Sequence, residues 1–560
     1  MLRTFENHEI RDEIELSGKL WNLTLLEEEY KSKELKAMVP GCVESIPGLE
    51  NYRGWVSFET SFEAEGNVRL EFKGVSHYAK VFIDEIEVAD HYGSYTPFDV
   101  CIRDLASGWH SLKVMVDNEF REEYALDMPN DYMSYGGISR GVVLEKLPDV
   151  YIKYAHFTPI CEKDGTWSGR AEIVCHNLLN SEFKGTLKLN IADQEVCCEE
   201  YNFTSGENKI CIHNLKFSNV SPWSMEVPTL YMMKVLLMHN EKMIDDWMDR
   251  IGFRTIEVYG RQVLLNGRPI RIKGFCRHED HPHYGCALPV EAISYDLQLI
   301  KDMGGNSIRT SHYPNDELFL DLCDEMGILV WEENHARGII SEKMENPYFE
   351  PQCEQVIREM ITCHYNHPSI YIWGILNECG SDTEYGRSCY KAQYELIRSL
   401  DSSRPTSSAS CRFQIDICQD LPDICSWNIY PYWYEQKTAA NMAHELQEWV
   451  ETNGGQGKPF LITEIGAGGI YGFRDPAHDI WSEELQAEII RKQLDEIFAL
   501  HDCIGLYIWQ FCDVRVSRLE WGLVRPRSRN NKGMVDEYRR PKMAYYDVKK
   551  IFGELSNYLD

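Results

Sequence analysis

Hydrophobic and polar positions follow two different rhythms along the 560 residues of this chain. Up to residue 152, short runs rich in aromatic and β-branched residues recur at 55–62, 68–72, 78–83, 112–116 and 141–146, with turn residues between them. Repeated short strands predict a β sandwich of the jelly-roll kind over 1–152. Runs at 171–176, 185–191, 209–213 and 231–238 repeat the rhythm. They predict a second, smaller β sandwich over 153–257, with immunoglobulin-like spacing but no cysteine–tryptophan signature. Asn266-Gly267 then reads as a type I′ hairpin turn. Beyond it, over 258–560, candidate strands beginning near Ile270, Asn306, Ile328, Ile370, Thr406, Ile424, Phe460 and Gly505 alternate with helical stretches. Those stretches cover 289–303, 317–326, 351–365, 384–400, 438–452 and 483–500. Eight strands mostly separated by helices predict a C-terminal (β/α)₈ barrel rather than an open sheet.

Charge narrows the function. With 57 basic and 89 acidic residues the formal charge is −32, which argues against general nucleic-acid binding and a polybasic membrane anchor. No apolar run reaches the length of about 18 residues that a membrane-spanning helix needs, and the first residues form no apolar signal core. The 19 cysteines are scattered and show no C-x-x-C spacing, so we expect reduced thiols and a cytoplasmic protein.

A barrel of this kind keeps its chemistry at the C-terminal ends of its strands. Those ends carry Arg277-His278-Glu279-Asp280, Arg309-Thr310-Ser311-His312-Tyr313, Trp331-Glu332-Glu333-Asn334, Asn377-Glu378, Trp427-Asn428-Ile429-Tyr430, Glu464 and Trp509-Gln510. One mouth therefore gathers carboxylates, two histidines and aromatics, without a glycine-rich phosphate loop. A carboxylate ending an apolar strand is costly unless it has a partner or a task. Glu378 and Glu464 end two such strands, nearly across the mouth from each other. Each could be ion-paired, with Arg309 for example. Two together facing one pocket are the equipment of a glycosidase.

Four motifs in order carry a family resemblance. Asn366-His367-Pro368-Ser369-Ile370 running into Asn377-Glu378 resembles the acid/base signature of glycoside hydrolase family 2, and Thr463-Glu464-Ile465-Gly466-Ala467 its nucleophile strand. Gly274-Phe275-Cys276-Arg277-His278-Glu279-Asp280 and Thr310-Ser311-His312-Tyr313-Pro314 match two further barrel motifs. Within the family the chain resembles the β-glucuronidase branch. Asn530-Asn531-Lys532 matches an N-x-K motif, and 129–138 resembles a loop from the first domain that enters the active site.

The resemblance implies a retaining exo-β-D-hexuronidase. Glu464 would be the nucleophile and Glu378 the acid/base. Asn377 would bond the 2-hydroxyl, and Tyr430 would orient Glu464. Asn530 and Lys532 would bind the uronate carboxylate, and Asp131 would sit by the 4-hydroxyl. Tyr434, Trp433 and Trp509 would form walls, and His278 and His312 would bond hydroxyls rather than a metal. No cofactor or metal is expected. The expected partner is a glycoside or oligosaccharide with a terminal uronic acid, on a homo-oligomeric enzyme. The basic run 525–532, four cations without an acid, supports an anionic substrate independently.

Two features depart from the pattern. The connection after Glu333 is short, which predicts an open mouth. Arg337 brings an extra cation and is either a surface arginine or a group that favours another C4 epimer. The alternatives are a β-galactosidase of the same fold, which leaves Lys532 without a task, and a non-catalytic carbohydrate-binding protein, which needs neither glutamate.

Overall fold

The structure is a computed structural model that describes residues 2–30 and 34–559, the side chain of Glu520 excepted. The N-terminal unit is an antiparallel assembly dominated by one long strand pair, Trp55–Phe72 against Phe98–Asp117. The runs 55–62 and 68–72 are thus one strand. The intervening Ala64–Val68 stretch is absorbed as register shifts around Gly66, whose φ of 78° suits glycine. Its core packs Trp21, Phe58, Val68, Leu70, Val114 and Leu144.

The second unit stacks a three-stranded sheet (Val150–Cys161, Trp167–Asn177, Gly206–Phe217) on a four-stranded one (Gln194–Phe203, Phe183–Ile191, Tyr231–His239, Lys242–Ile251). The strand Lys242–Ile251 is hidden in the sequence because its acids face inward. Asp245 and Asp249 are buried, paired with Arg11 and Arg3, so the apolar alternation is broken.

The third unit is a closed parallel barrel. Its strands are β1 (Ile272–Cys276), β2 (Ser307–Arg309), β3 (Leu329–Glu333), β4 (Ile370–Ile375), β5 (Thr406–Ser410), β6 (Ile424–Asn428), β7 (Phe460–Ile465) and β8 (Gly505–Ile508). All but β5 are buried along their whole length, as strands covered on both faces must be. Seven principal helices wrap them: α1 (Val290–Asp302), α2 (Glu317–Met326), α3 (Phe349–His364), α4 (Glu384–Leu400), α5 (Ala439–Thr452), α6 (Glu483–Phe498) and α7 (Met543–Glu554). The side chains of Asp316, Thr383, Thr438 and Ser482 cap α2, α4, α5 and α6. Between β5 and β6 a loop replaces the helix. The last helix, α7, has no counterpart among the predicted stretches. It buries Ala544, Tyr545, Val548 and Phe552 between exposed Tyr546 and Lys549, a narrow stripe.

The N-terminal unit reaches the barrel mouth through 127–138. Glu44, whose side chain is fully buried, accepts from Gly136 N (2.9 Å) and Asn118 Nδ2 (2.8 Å) and pairs with Arg53 (3.2 Å). Tyr135 donates to Asp280 at 2.7 Å, and Arg140 pairs with Glu279 at 2.9 Å. The C-terminal end of the loop is therefore bolted both to the first sandwich and to the barrel. Glu44→Ala orphans the Gly136 N–H and leaves Arg53 without its carboxylate. We expect it to cost about 2–4 kcal/mol in denaturant unfolding; a loss below about 0.5 kcal/mol would show that Glu44 does not hold this loop.

Candidate active site

Parallel strands end in one ring, so their last residues converge. Arg309, at the end of β2, is fully buried. It grips Glu333 of β3 with two bonds of 2.9 Å, Glu464 of β7 at 3.0 Å and Asn377 at 2.7 Å. Trp331 Nε1 and His312 Nδ1 also meet Glu333, each at 2.9 Å. The other Glu464 oxygen accepts from Tyr430 at 2.6 Å. Burial, followed by the charge of Glu378, pushes the Glu464 carboxyl up to about 7, against the pull of Arg309 and Tyr430. Burial, then the Glu464 charge, holds the Tyr430 phenol well above its ordinary value, so it remains a donor.

Glu378 follows β4 on a bent backbone, with positive φ at Leu376 (47°) and at Glu378 itself (55°). Such conformations cost about 1–3 kcal/mol and persist where the surroundings impose them. Here Leu376 N bonds the Asn334 side chain, Asn377 N bonds Ala336 O and Glu378 N bonds Ala409 O. Asn428, at the end of β6, donates to both Asn377 Oδ1 and Glu378 Oε1 at 3.0 Å, and takes Thr463 Oγ at 2.9 Å. A hydrogen-bonded path thus links the two glutamates: Glu464, Arg309, Asn377, Asn428, Glu378. Asn377 Oδ1 accepts twice, while its buried Nδ2 finds no acceptor among the described residues.

Arg337 is not a surface arginine. Its side chain is 15% exposed, lies 3.5 Å from Glu378, donates to Asn130 at 3.1 Å and sits over the Trp521 ring. Asp131 arrives from the N-terminal unit and is held by Arg525 (2.9 Å from Nε) and by Asn530 Nδ2 (3.0 Å). Arg525 also donates to Tyr434 at 2.9 Å. Lys532 is buried, with its ammonium 3.4 Å from Asn530 Oδ1 and over the rings of Tyr430 and Tyr434. No carboxylate among the described residues lies within 4.0 Å of it. Burial, followed by the charge of Arg525, lowers its pKa. Burial would raise the Tyr434 hydroxyl, but Lys532 and Arg525 outweigh it and its pKa falls.

These groups surround a cavity of about 590 Å³. Asp131, Arg337, Glu378, Tyr430, Tyr434, Glu464, Trp509 and Lys532 line it directly, with Trp433 in the same wall. Asn377 and Asn530 stand behind that lining. His278 and His312 pack against Trp509, edge-on at 5.4 Å and stacked at 5.0 Å. Burial drives both imidazoles well below their ordinary pKa, so both are neutral. The sequence reading passed over Asn428 and the hub role of Arg309. Both stand at strand ends, which was the available signal. It also missed Trp521, on a loop without a strand-end position.

Removing Arg309 would leave Glu333 and Glu464 buried without their cation. We expect Arg309→Leu to destabilise by about 3–5 kcal/mol, and Arg309→Lys to recover little because an ammonium lacks the planar fork. Denaturant unfolding measures this, and wild-type stability in Arg309→Lys would overturn it.

Comparison with known proteins agrees with this architecture. Family models match in sequence: the sugar binding domain of glycosyl hydrolases family 2 at residues 39–148, the family 2 middle model at 150–254 and the family 2 TIM barrel domain at 256–557. A β-galacturonidase from Eisenbergiella tayi, solved with galacturonate, superposes with a TM-score of 0.98 and 55% identity over all of both chains. A β-glucuronidase of Streptococcus agalactiae is 27% identical over 87% of this chain and 86% of its own length. A Formosa agariphila relative, 28% identical over 91% of this chain, is longer, and the chain spans 65% of it. No helix among the described residues is long and apolar enough to cross a membrane. With three family models matched in order and a closed eight-stranded barrel behind two β sandwiches, the chain belongs to glycosyl hydrolases family 2 and is a glycoside hydrolase.

Proposed function

We propose that the enzyme removes terminal β-D-hexuronic acids with retention of configuration, and that β-galacturonides are favoured over β-glucuronides. The observation that carries the uronide reading is the buried, carboxylate-free ammonium of Lys532 at the cavity wall. An unpaired buried cation is costly, and a sugar carboxylate offsets that cost where a hydroxymethyl group does not. Asn530, bonded to Lys532, orients the site. Arg525 is already engaged by Asp131, so Lys532 is left for the substrate.

In this reading Glu464 attacks the anomeric carbon and forms a glycosyl-enzyme. Glu378 protonates the leaving oxygen and then deprotonates the incoming water. Tyr430 and Arg309 position Glu464 and favour its anion. The free Nδ2 of Asn377 donates to the 2-hydroxyl. The preference for galacturonides rests on Arg337, which sits beside Glu378 and near the Asn130-Asp131 pair, and on the likeness to the Eisenbergiella protein. A β-galactosidase reading is favoured by a Thermoanaerobacterium thermosulfurigenes relative, 30% identical over 86% of this chain. It leaves Lys532 without a partner.

A panel of p-nitrophenyl β-galacturonide, β-glucuronide and β-galactoside tests the assignment. Lys532→Ala should lose about 30- to 1,000-fold in kcat/KM on both uronides and change residual galactoside hydrolysis little. Arg337→Ala should change the ratio of the two uronides. Equal losses on all three substrates in Lys532→Ala would refute the carboxylate-reading role, and an unmoved ratio in Arg337→Ala would refute the epimer role.

The pH profile gives a second test. Glu464 must be ionised to attack, and its pKa is raised to about 7, so kcat/KM should fall as pH drops through about 7. The Glu378 charge contributes to that rise. On a substrate whose leaving group needs no proton, Glu378→Gln should therefore shift the acid limb to lower pH. A limb that stays in place would show that Glu464 is not the titrating group.

A further inference from the structure

Away from the cavity, three ligating side chains meet where the N-terminal segment crosses the first two units. His8, Glu13 and Glu145 each offer one atom, and the three atoms lie within 4.8 Å of one another. Glu13 and Glu145 are direct cross-strand partners in the antiparallel pair Glu13–Glu15 against Val142–Leu147. Like charges in that position repel, and a sheet edge gains nothing from them unless a cation lies between.

The histidine supplies the independent observation. Its side chain is 1% exposed. Nδ1 lies 2.6 Å from the carbonyl oxygen of Asp246, and a carbonyl only accepts. Nδ1 therefore donates to that carbonyl, and Nε2 is the nitrogen that faces the two glutamates. That Nε2 is buried without a hydrogen-bond partner and lies 3.9 Å from Glu13. A backbone carbonyl holding the far nitrogen of an imidazole is the usual way a metal-binding histidine is oriented.

Charge points the same way. Arg11, Arg69 and Lys73 face Glu71, Asp99, Glu145 and Asp245, three cations against four carboxylates before Glu13 is counted. Glu145 bonds both arginines, yet each carboxylate oxygen has two lone pairs. Burial holds the Glu13 carboxyl above its ordinary range. Its side chain is 30% exposed, so an ion can enter from solvent.

We propose that His8, Glu13 and Glu145 form a site for a divalent transition-metal ion of the zinc type, which clamps the N-terminal strand to the first sandwich. One nitrogen and two carboxylate oxygens suit such an ion, with water completing the shell. Ligands at about 2.1 Å in tetrahedral array stand about 3.4 Å apart, so the set closes by about an ångström through the Glu13 side chain.

Zinc titration of the full chain tests this, by calorimetry and by thermal unfolding with zinc against EDTA. Wild type should bind one equivalent and unfold at a higher temperature with zinc. His8→Asn, whose amide can still donate to Asp246 O, and Glu13→Gln should each bind on the order of 100-fold more weakly. Glu13→Gln should also be more stable than wild type in EDTA, because the opposed charges are gone. Equal zinc binding in all three proteins would place the ion elsewhere and overturn the proposal. So would the absence of binding to wild type at about 100 µM zinc, a concentration at which a specific site would stabilise the fold.

Discussion

The active centre depends on one buried guanidinium. Arg309 alone ties the ends of β2, β3 and β7 and the Asn377 side chain into one rigid unit, because only a planar fork can meet Glu333 twice and still reach Glu464 and Asn377. Its single charge is shared between two buried carboxylates, so it neutralises Glu464 incompletely. Burial, followed by the charge of Glu378, therefore prevails and raises the Glu464 carboxyl to about 7, while Tyr430 and Arg337 add to the stabilisation of its anion. Strengthening the Arg309–Glu464 pair would lower that pKa and weaken the carboxylate in the nucleophilic role proposed for it. Weakening it would leave more of Glu464 protonated at neutral pH. Sharing the arginine with Glu333 holds the balance between the two.

The barrel was legible because its physics is repetitive. Parallel strands covered on both faces read as continuous apolar runs, and all eight appear where those runs lie, including the short β2 and the polar β5. The ends of those strands were legible too, since Glu378, Glu464 and Tyr430 interrupt apolar runs where a bare core has no use for them. What stayed hidden are features without a local signature. Lys242–Ile251 was lost because Asp245 and Asp249 point into an ion-pair network whose cations, Arg11 and Arg3, lie more than two hundred residues away. The long strand Trp55–Phe72 was split because a bulge and a turn look alike in sequence. Asn428 was visible at a strand end, but its bridging of Asn377 and Glu378 depends on the curvature of the barrel.

The N-terminal sandwich contributes to the wall of the cavity rather than standing apart from it. Asp131 comes from that unit and meets Arg525 and Asn530, partners about four hundred residues later in the chain. Their meeting requires Glu44 to hold Gly136 and Tyr135 to reach Asp280. The consequence is electrostatic. Lys532 and Arg525 bring two positive charges and Asp131 removes one, so this corner of the cavity carries a net +1, apart from Arg337, Glu378 and Glu464 elsewhere in the lining. In the proposed function a uronate brings −1 and balances that corner. A neutral sugar leaves the excess in place, and with it the desolvation penalty of a buried ammonium. If Asp131 were lost, Arg525 would be released and the net charge would rise to +2, beyond what one carboxylate can match. In the proposed function, selection for an anionic sugar in the barrel thus leans on Asp131, a carboxylate delivered by a different domain.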